Sequence, residues 1–234
     1  SKERDEWYSL QKILRQEWVE SSLSDLEQEE PEELMMHPLR LALEVQSLMN
    51  QNDWLVIDGG NTHFWSEIAV NMAGAQGKEL AGILHPGSFS MLGVGVSFGL
   101  AAKLNHPKDR VVVISGDGAF LSGGLSIEAA FQENVPITVV IDNNGGLTTI
   151  SQQQERLFAD ERHVATDFRD IPFHTMFEGM GGHGELVEKP EDLKAALERA
   201  LSSGKTACVN VRTRSAISPI VLATTSKRDK ASIE

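Results

Sequence analysis

The sequence predicts an α/β fold, a three-layer α/β/α domain around a mostly parallel central sheet of about six strands. Three observations carry this reading. Short apolar runs alternate with helical patterns along the chain, at WLVID (54–58), LAGILHP (80–86), RVVVIS (110–115), ITVVI (137–141), GELVEK (184–189) and TACVNVRT (206–213). Between Arg110 and Thr149 the order is strand, turn, helix, strand, turn, a βαβ unit whose two strands share one parallel sheet. Two strands also end in glycine turns that lead directly into helices, Gly59-Gly60 and Gly116-Asp117-Gly118.

Taken in order, residues 1–35 form an N-terminal extension. Trp7, Leu10, Leu14 and Trp18 recur at helical spacing, which predicts an amphipathic helix over 1–20 with an adhesive face, and SDLEQEEPEE (24–33) reads as an acidic linker. The folded domain is expected over 36–215, opening with Pro38 just inside a helix of Leu39, Leu41, Leu43, Val45 and Leu48. WLVID is a buried strand, followed by a helix from Phe64 to Met72. After a short strand at 80–86, residues 87–104 start with small residues and become a helix in which Gly99 requires a close neighbour. In the central unit Leu125, Ala129 and Phe131 mark the helix. Residues 152–170 are polar and without period, so a loop or short helical pieces are expected. DIPFHTMFEGMG reads as a helix, Pro190 to Gly204 frames another, and TACVNVRT is the last strand. Residues 216–234 form a tail that is ambiguous in pattern, open to crossing onto a partner.

Composition narrows the function. A net charge of −13 with no basic run argues against nucleic acid as a partner. No apolar segment reaches the length of a membrane span and no signal-peptide pattern appears, so no membrane association and a cytoplasmic location are expected. The single cysteine, Cys208, rules out an intrachain disulfide or a cysteine-held cluster and sits in an apolar strand as a core residue. With neither a two-histidine helical spacing nor a cysteine pair, no zinc site is expected.

The chemistry concentrates in the central unit. In a parallel sheet both turns that follow its strands lie at the carboxyl edge, so Asp117 and Asn144, 27 residues apart, become neighbours. A carboxylate and an amide carbonyl are hard oxygen ligands suited to Mg²⁺, which usually keeps phosphate among its ligands. Gly116, Gly118, Gly145 and Gly146 let the backbone approach a ligand closely. Together these residues predict a phosphate-bearing cofactor held through a metal.

Gly116-Asp117-Gly118 at a strand end, with Asn143-Asn144 after the next strand, resembles the thiamine diphosphate motif of the acetolactate synthase, benzaldehyde lyase and pyruvate decarboxylase superfamily. The similarity covers roughly residues 36–215 and is to the diphosphate-binding domain of these enzymes. The resemblance implies Mg²⁺ ligation by Asp117, Asn144 and the main-chain carbonyl of Gly146. It implies that Gly60, Asn61 and Thr62 hold the diphosphate from the first turn, with Gly118, Ala119, Leu147 and Thr148 from the other two. It further implies that Leu92, in Ser90-Met91-Leu92-Gly93, supports the bent form of the cofactor while the main chain near Ser90 faces its aminopyrimidine. Phe64, Trp65 and Glu67 resemble a stretch of benzaldehyde lyase. Gly145-Gly146-Leu147 departs from the aromatic residue common after the Asn-Asn turn, and is similar to oxalyl-CoA decarboxylase-like sequences.

The activating glutamate of this superfamily belongs to a separate pyrimidine-binding domain, for which 234 residues leave no room. Glu67, Glu128 and Glu133 have no assignable part in activation, and Glu128 reads as structural. His63 and His85 flank site-forming turns and are candidates for acid–base work as well as for plain packing. The chain begins with Ser1, so it is expected to be either the later part of a longer chain or one subunit of a split enzyme, in a homo- or hetero-oligomer that supplies the missing domain. The expected activity is that of a lyase or carboligase acting on 2-oxo acids or acyloins. A split decarboxylase of the sulfopyruvate or phosphonopyruvate type is the alternative enzyme, and a non-catalytic scaffold is the alternative from another class.

Overall fold

A computed structural model describes residues 2–28, 35–158, 162–219 and 221. Its centre is a six-stranded sheet in which every pairing is parallel. The strands are β1 (Trp54–Asp58), β2 (Gly82–Leu84), β3 (Val111–Gly116), β4 (Thr138–Asn143), β5 (His183–Val187) and β6 (Ala207–Arg212), arranged β2-β1-β3-β4-β6-β5. β3 and β4 are buried along their whole length, which is why they read as unbroken apolar runs rather than as alternating ones.

Helices cover both faces. On one face α2 (Pro38–Leu48) and α9 (Pro190–Ser202) pack Leu41, Val45, Leu193 and Leu197 against Val112, Ile114 and Val209. On the other, α4 (Gly95–Asn105), α6 (Glu128–Gln132) and α8 (Phe173–Gly179) contribute Val96, Ala130, Phe173 and Phe177 against Val113, Val139 and Cys208. α3 (Asn61–Ala75) lies on the first face, where Trp65, Ile68 and Met72 meet Leu39 and Ala42 of α2.

Several sequence expectations shift. The segment 87–104, expected to open with small residues and become a helix, becomes one at Gly95; before it Gly87–Phe89 is a 3₁₀ turn, and Ser90 (φ 49°) and Gly93 (φ 87°) take left-handed conformations that interrupt any helix. The helix after Gly116-Asp117-Gly118 is broken into α5 (Asp117–Gly123), a 3₁₀ turn (Gly124–Ile127) and α6. The break changes the helical phase, so Ile127 and Ala130 are buried while Leu125 and Ala129 face outward. The region from 152 contains part of a regular helix, α7 (Thr148–Leu157).

The N-terminal helix α1 (Lys2–Gln28) continues past residue 20, through the first part of the expected linker; 29–34 lie outside the described residues. Trp7, Leu10 and Leu14 are more than half exposed, and Val19, with the partly buried Leu23, reaches the α2–α3 layer from α1. The described part of the expected tail folds back on its own domain, Trp65 Nε1 donating to the Ala216 carbonyl at 3.0 Å. Residues 220 and 222–234 lie outside the described residues.

Gly99 meets the sheet where the sequence required closeness: a Cβ there would come within 2.7 Å of Val113 Cγ2 and 3.3 Å of Ile137 Cδ1. Overpacking of this kind costs about 1–3 kcal/mol, and valine gains almost nothing over glycine in helix propensity to offset it. Gly99→Val is therefore expected to lower stability by about 2 kcal/mol, read as a lower urea midpoint at unchanged slope.

Candidate cofactor site

The sheet order reverses between β1 and β3: β2 lies outside β1 on one side, and β3 and β4 continue on the other. The helices that follow diverge accordingly, leaving a crevice at the carboxyl ends of these strands. A cavity of about 650 Å³ opens there. The residues that the resemblance implies for the cofactor line it, as do the glycines named beside them except Gly145: Gly60, Asn61 and Thr62 after β1, Ser90 and Leu92 from the irregular segment, Gly116, Asp117, Gly118 and Ala119 after β3, and Asn144, Gly146, Leu147 and Thr148 after β4.

Asp117 joins the two inner turns. Its Oδ1 accepts from the Gly118 amide at 2.6 Å, and its Oδ2 accepts from the amides of Gly145 and Gly146 at 2.8 and 2.9 Å. Burial, and behind it the charge of Asp142, pushes the Asp117 carboxyl up to about 7 despite those three donors. Asp142 is itself fully enclosed beneath the site and raised by burial, accepting from the hydroxyls of Thr62 (2.7 Å) and Thr213. Thr62 is thus fixed by a residue that sequence reasoning passed over, because Asp142 looked like the end of a strand.

The two asparagines of the turn separate by environment. Asn143 points between strands, its Nδ2 donating to Asn210 Oδ1 at 3.0 Å. Asn144 keeps a buried Oδ1 with no hydrogen-bond partner. Such an oxygen costs free energy unless something polar meets it. Beside the Asp117 carboxylate it is half of a hard-oxygen donor set that fits a Mg²⁺ ion, and the Gly146 carbonyl is placed on the same turn. Gly146 (φ 159°) is locked against the next segment; Leu147 N–H donates to Thr166 O and Phe168 N–H to Gly145 O, and a Cβ on Gly146 would sit 2.3 Å from Thr166 O.

The cavity lining contains no Lys or Arg among the described residues. Attraction for an anion comes instead from backbone. α3, α5 and α7 all start at this edge, at Asn61, Asp117 and Thr148, presenting the positive ends of their dipoles. Asn61 is braced across the cavity, its N–H donating to Thr149 Oγ1 (3.0 Å) and its Nδ2 to Gln152 Oε1 (2.9 Å). Gln152 belongs to the region read from sequence as aperiodic, so this brace was invisible there. Glu128 and Glu133 are exposed and do not line the cavity.

Residues 58–211 match the family described as "Thiamine pyrophosphate enzyme, C-terminal TPP binding domain". The chain belongs to this family. It is similar to a probable acetolactate synthase of Mycobacterium bovis (strain ATCC BAA-935 / AF2122/97), 34% identical over 199 residues that cover 83% of this chain and 35% of the relative. It is also similar to a 2-hydroxyacyl-CoA lyase of Oryza sativa subsp. japonica (31% identical, 55% of this chain, 23% of the relative) and to 2-hydroxyacyl-CoA lyase 2 of Mus musculus (30% identical, 74% and 26%). The chain spans about a third of the length of the acetolactate synthase it matches. The resemblance read from Gly116-Asp117-Gly118 and Asn143-Asn144 is therefore correct, and thiamine diphosphate, with Mg²⁺ as the family's usual companion metal, is the cofactor this domain type takes.

Because the Asp117 carboxyl holds its proton to about 7 in the fold but only to about 3.8 when unfolded, the native state binds more protons across that interval. Asp58 and Asp142 are shifted the same way, each by burial first. Metal-free protein is accordingly expected to lose melting temperature as pH rises from about 4 to about 7. A divalent cation held by Asp117 would compete with that proton, so Mg²⁺ with thiamine diphosphate should raise the melting temperature by several degrees more at pH 8 than at pH 5. Parallel melts with and without the pair check this, and an equal increment at both pH values would contradict it.

Proposed function

We propose that this chain supplies the diphosphate- and Mg²⁺-binding half of the active site of a thiamine diphosphate-dependent lyase or carboligase acting on 2-oxo acids or acyloins. The observation that carries the reading is the unpartnered Asn144 Oδ1 beside the buried Asp117 carboxylate, at an edge where the helices begin. Asp117, Asn144 and the Gly146 carbonyl would hold the metal. Asn61, Gly118 and Thr148, at the starts of α3, α5 and α7, would meet the diphosphate, with Gly60, Thr62, Ala119 and Leu147 beside them. When bound, the cofactor supplies a thiazolium that adds to a carbonyl and stores the resulting carbanion. Leu92 would support the cofactor's bent form, with the Ser90 main chain toward its aminopyrimidine.

Another domain completes the site in this reading. Glu67 is the one glutamate of the lining among the described residues, and it is engaged by His63, so activation of the pyrimidine falls to a glutamate outside this chain. Phe89 and Met91 stand beside Leu92 at 93% and 61% exposure, an apolar rim suited to being covered by a pyrimidine-binding domain. That domain would be carried on the same longer chain or on a separate subunit.

Calorimetry tests the metal requirement. Thiamine diphosphate is expected to bind with Mg²⁺ and not in excess chelator, and equal affinity in both would overturn the reading. Asp117→Ala should weaken cofactor binding more than about 100-fold by removing the charged ligand, whereas Glu128→Gln should leave it near wild type. The 234-residue chain alone should not turn over 2-oxo acids and should do so once a pyrimidine-binding domain is supplied.

A further inference from the structure

At the α3 side of the cavity, His63, Glu67 and His85 each bring one ligand atom within 4.8 Å of the others. The metal and diphosphate reading makes no use of them. His63 and Glu67 are one helical turn apart, with His63 Nε2 2.9 Å from Glu67 Oε1. His85 arrives from the segment after β2 and meets His63 edge-on, ring centres 5.2 Å apart.

Their hydrogen bonds fix where the ring protons are. An ionised carboxylate only accepts, so His63 Nε2 carries a proton. The Gly87 amide donates to His85 Nδ1 at 3.2 Å, so Nδ1 presents its lone pair and the proton of neutral His85 is on Nε2. This arrangement disfavours a metal ion at the trio, since His85 has no nitrogen lone pair to give while Gly87 holds Nδ1. It leaves one donor, His85 Nε2–H, and one acceptor, His63 Nδ1, which has no partner among the described residues. A hydroxyl group matches that pair, because a single oxygen donates one hydrogen bond and accepts another.

We propose that His63 and His85 recognise the hydroxyl oxygen of a 2-hydroxyacyl or acyloin substrate, His63 accepting the O–H hydrogen and His85 donating to the oxygen, with Glu67 as the positioning residue for His63. The inference deepens the function proposed above and rests on it for the substrate class. Full proton transfer is balanced locally. The O–H bond breaks with its electron pair left on oxygen, an N–H bond forms at His63 Nδ1, and the Glu67 carboxylate offsets the imidazolium charge.

Imidazole ¹⁵N NMR on the 234-residue chain tests this without turnover. In the free protein both rings should carry their proton on Nε2. Lactate should shift the ring nitrogens of His63 and His85, while propionate, which has the same carboxylate and no hydroxyl, should not. Glu67→Leu should spread the His63 proton over both nitrogens and reduce the lactate response severalfold. Glu67→Gln, which keeps an accepting oxygen, should restore the Nε2 form, and Glu128→Gln is the distant control. Equal responses to lactate and propionate, no response to lactate, or unchanged His63 nitrogens in Glu67→Leu would each overturn the proposal. Cofactor calorimetry on the wild-type chain separates the two ideas: a lost lactate response with intact cofactor binding removes only this inference, and lost cofactor binding with an intact response removes only the other.

Discussion

The site depends on one buried carboxylate. Asp117 is 2% exposed, and its oxygens gather amides from two separate turns, one after β3 and one after β4. Without an acceptor between them, the amides of Gly145 and Gly146 would be directed at nothing, and the turn that carries Asn144 would lose its anchor. The same burial makes the charge costly, which is why the carboxyl holds its proton to about 7. A divalent cation, as proposed for this site, would resolve both demands, since it would meet the charge without taking away the amides.

Glycine makes the convergence possible at specific points. A Cβ on Gly118 would lie 2.5 Å from Leu147 Cδ2, and one on Gly60 2.7 Å from Thr149 Oγ1. Each contact joins two of the three turns that surround the cavity. The turns approach closely enough for main-chain groups to replace basic side chains as the source of positive potential, in keeping with a chain of net charge −13 whose cavity lining includes no Lys or Arg among the described residues. The acidic balance and the anion-binding edge are thus compatible, because the edge never relied on side-chain charge.

Strand existence, the shared parallel sheet of the βαβ unit and much of the cavity lining were legible because each follows from a local signal: an apolar run, a glycine turn, a polar residue at a strand end. What the sequence hid were the effects of tertiary packing on short segments. Leu125, Ala129 and Phe131 marked one helix after Asp117; the 3₁₀ turn at Gly124–Ile127 breaks it and leaves Leu125 outward. Asp142 and Gln152 were missed since their importance comes from partners 80 and 91 residues away, Thr62 and Asn61. The His63–Glu67 pair had a readable signal, one helical turn of spacing, but the approach of His85 depends on β2 lying next to β1.

The same device is used twice at this edge. Asp58, at the end of β1, accepts from the Gly93 amide at 3.2 Å and the Gly95 amide at 2.7 Å, as Asp117 at the end of neighbouring β3 accepts from Gly145 and Gly146. Each aspartate is buried and raised by that burial, and each clamps a glycine pair from a segment that borders the cavity. For Asp58 the clamped segment carries Leu92. The same stretch is closed by Gly123, where a Cβ would fall 2.0 Å from the Gly93 carbonyl oxygen, so the backbone that follows Leu92 has little room to move. In the proposed role of Leu92 as an apolar support, a backbone that does not yield is what such a support requires, and here it is held by a buried carboxylate and by bare glycine contact.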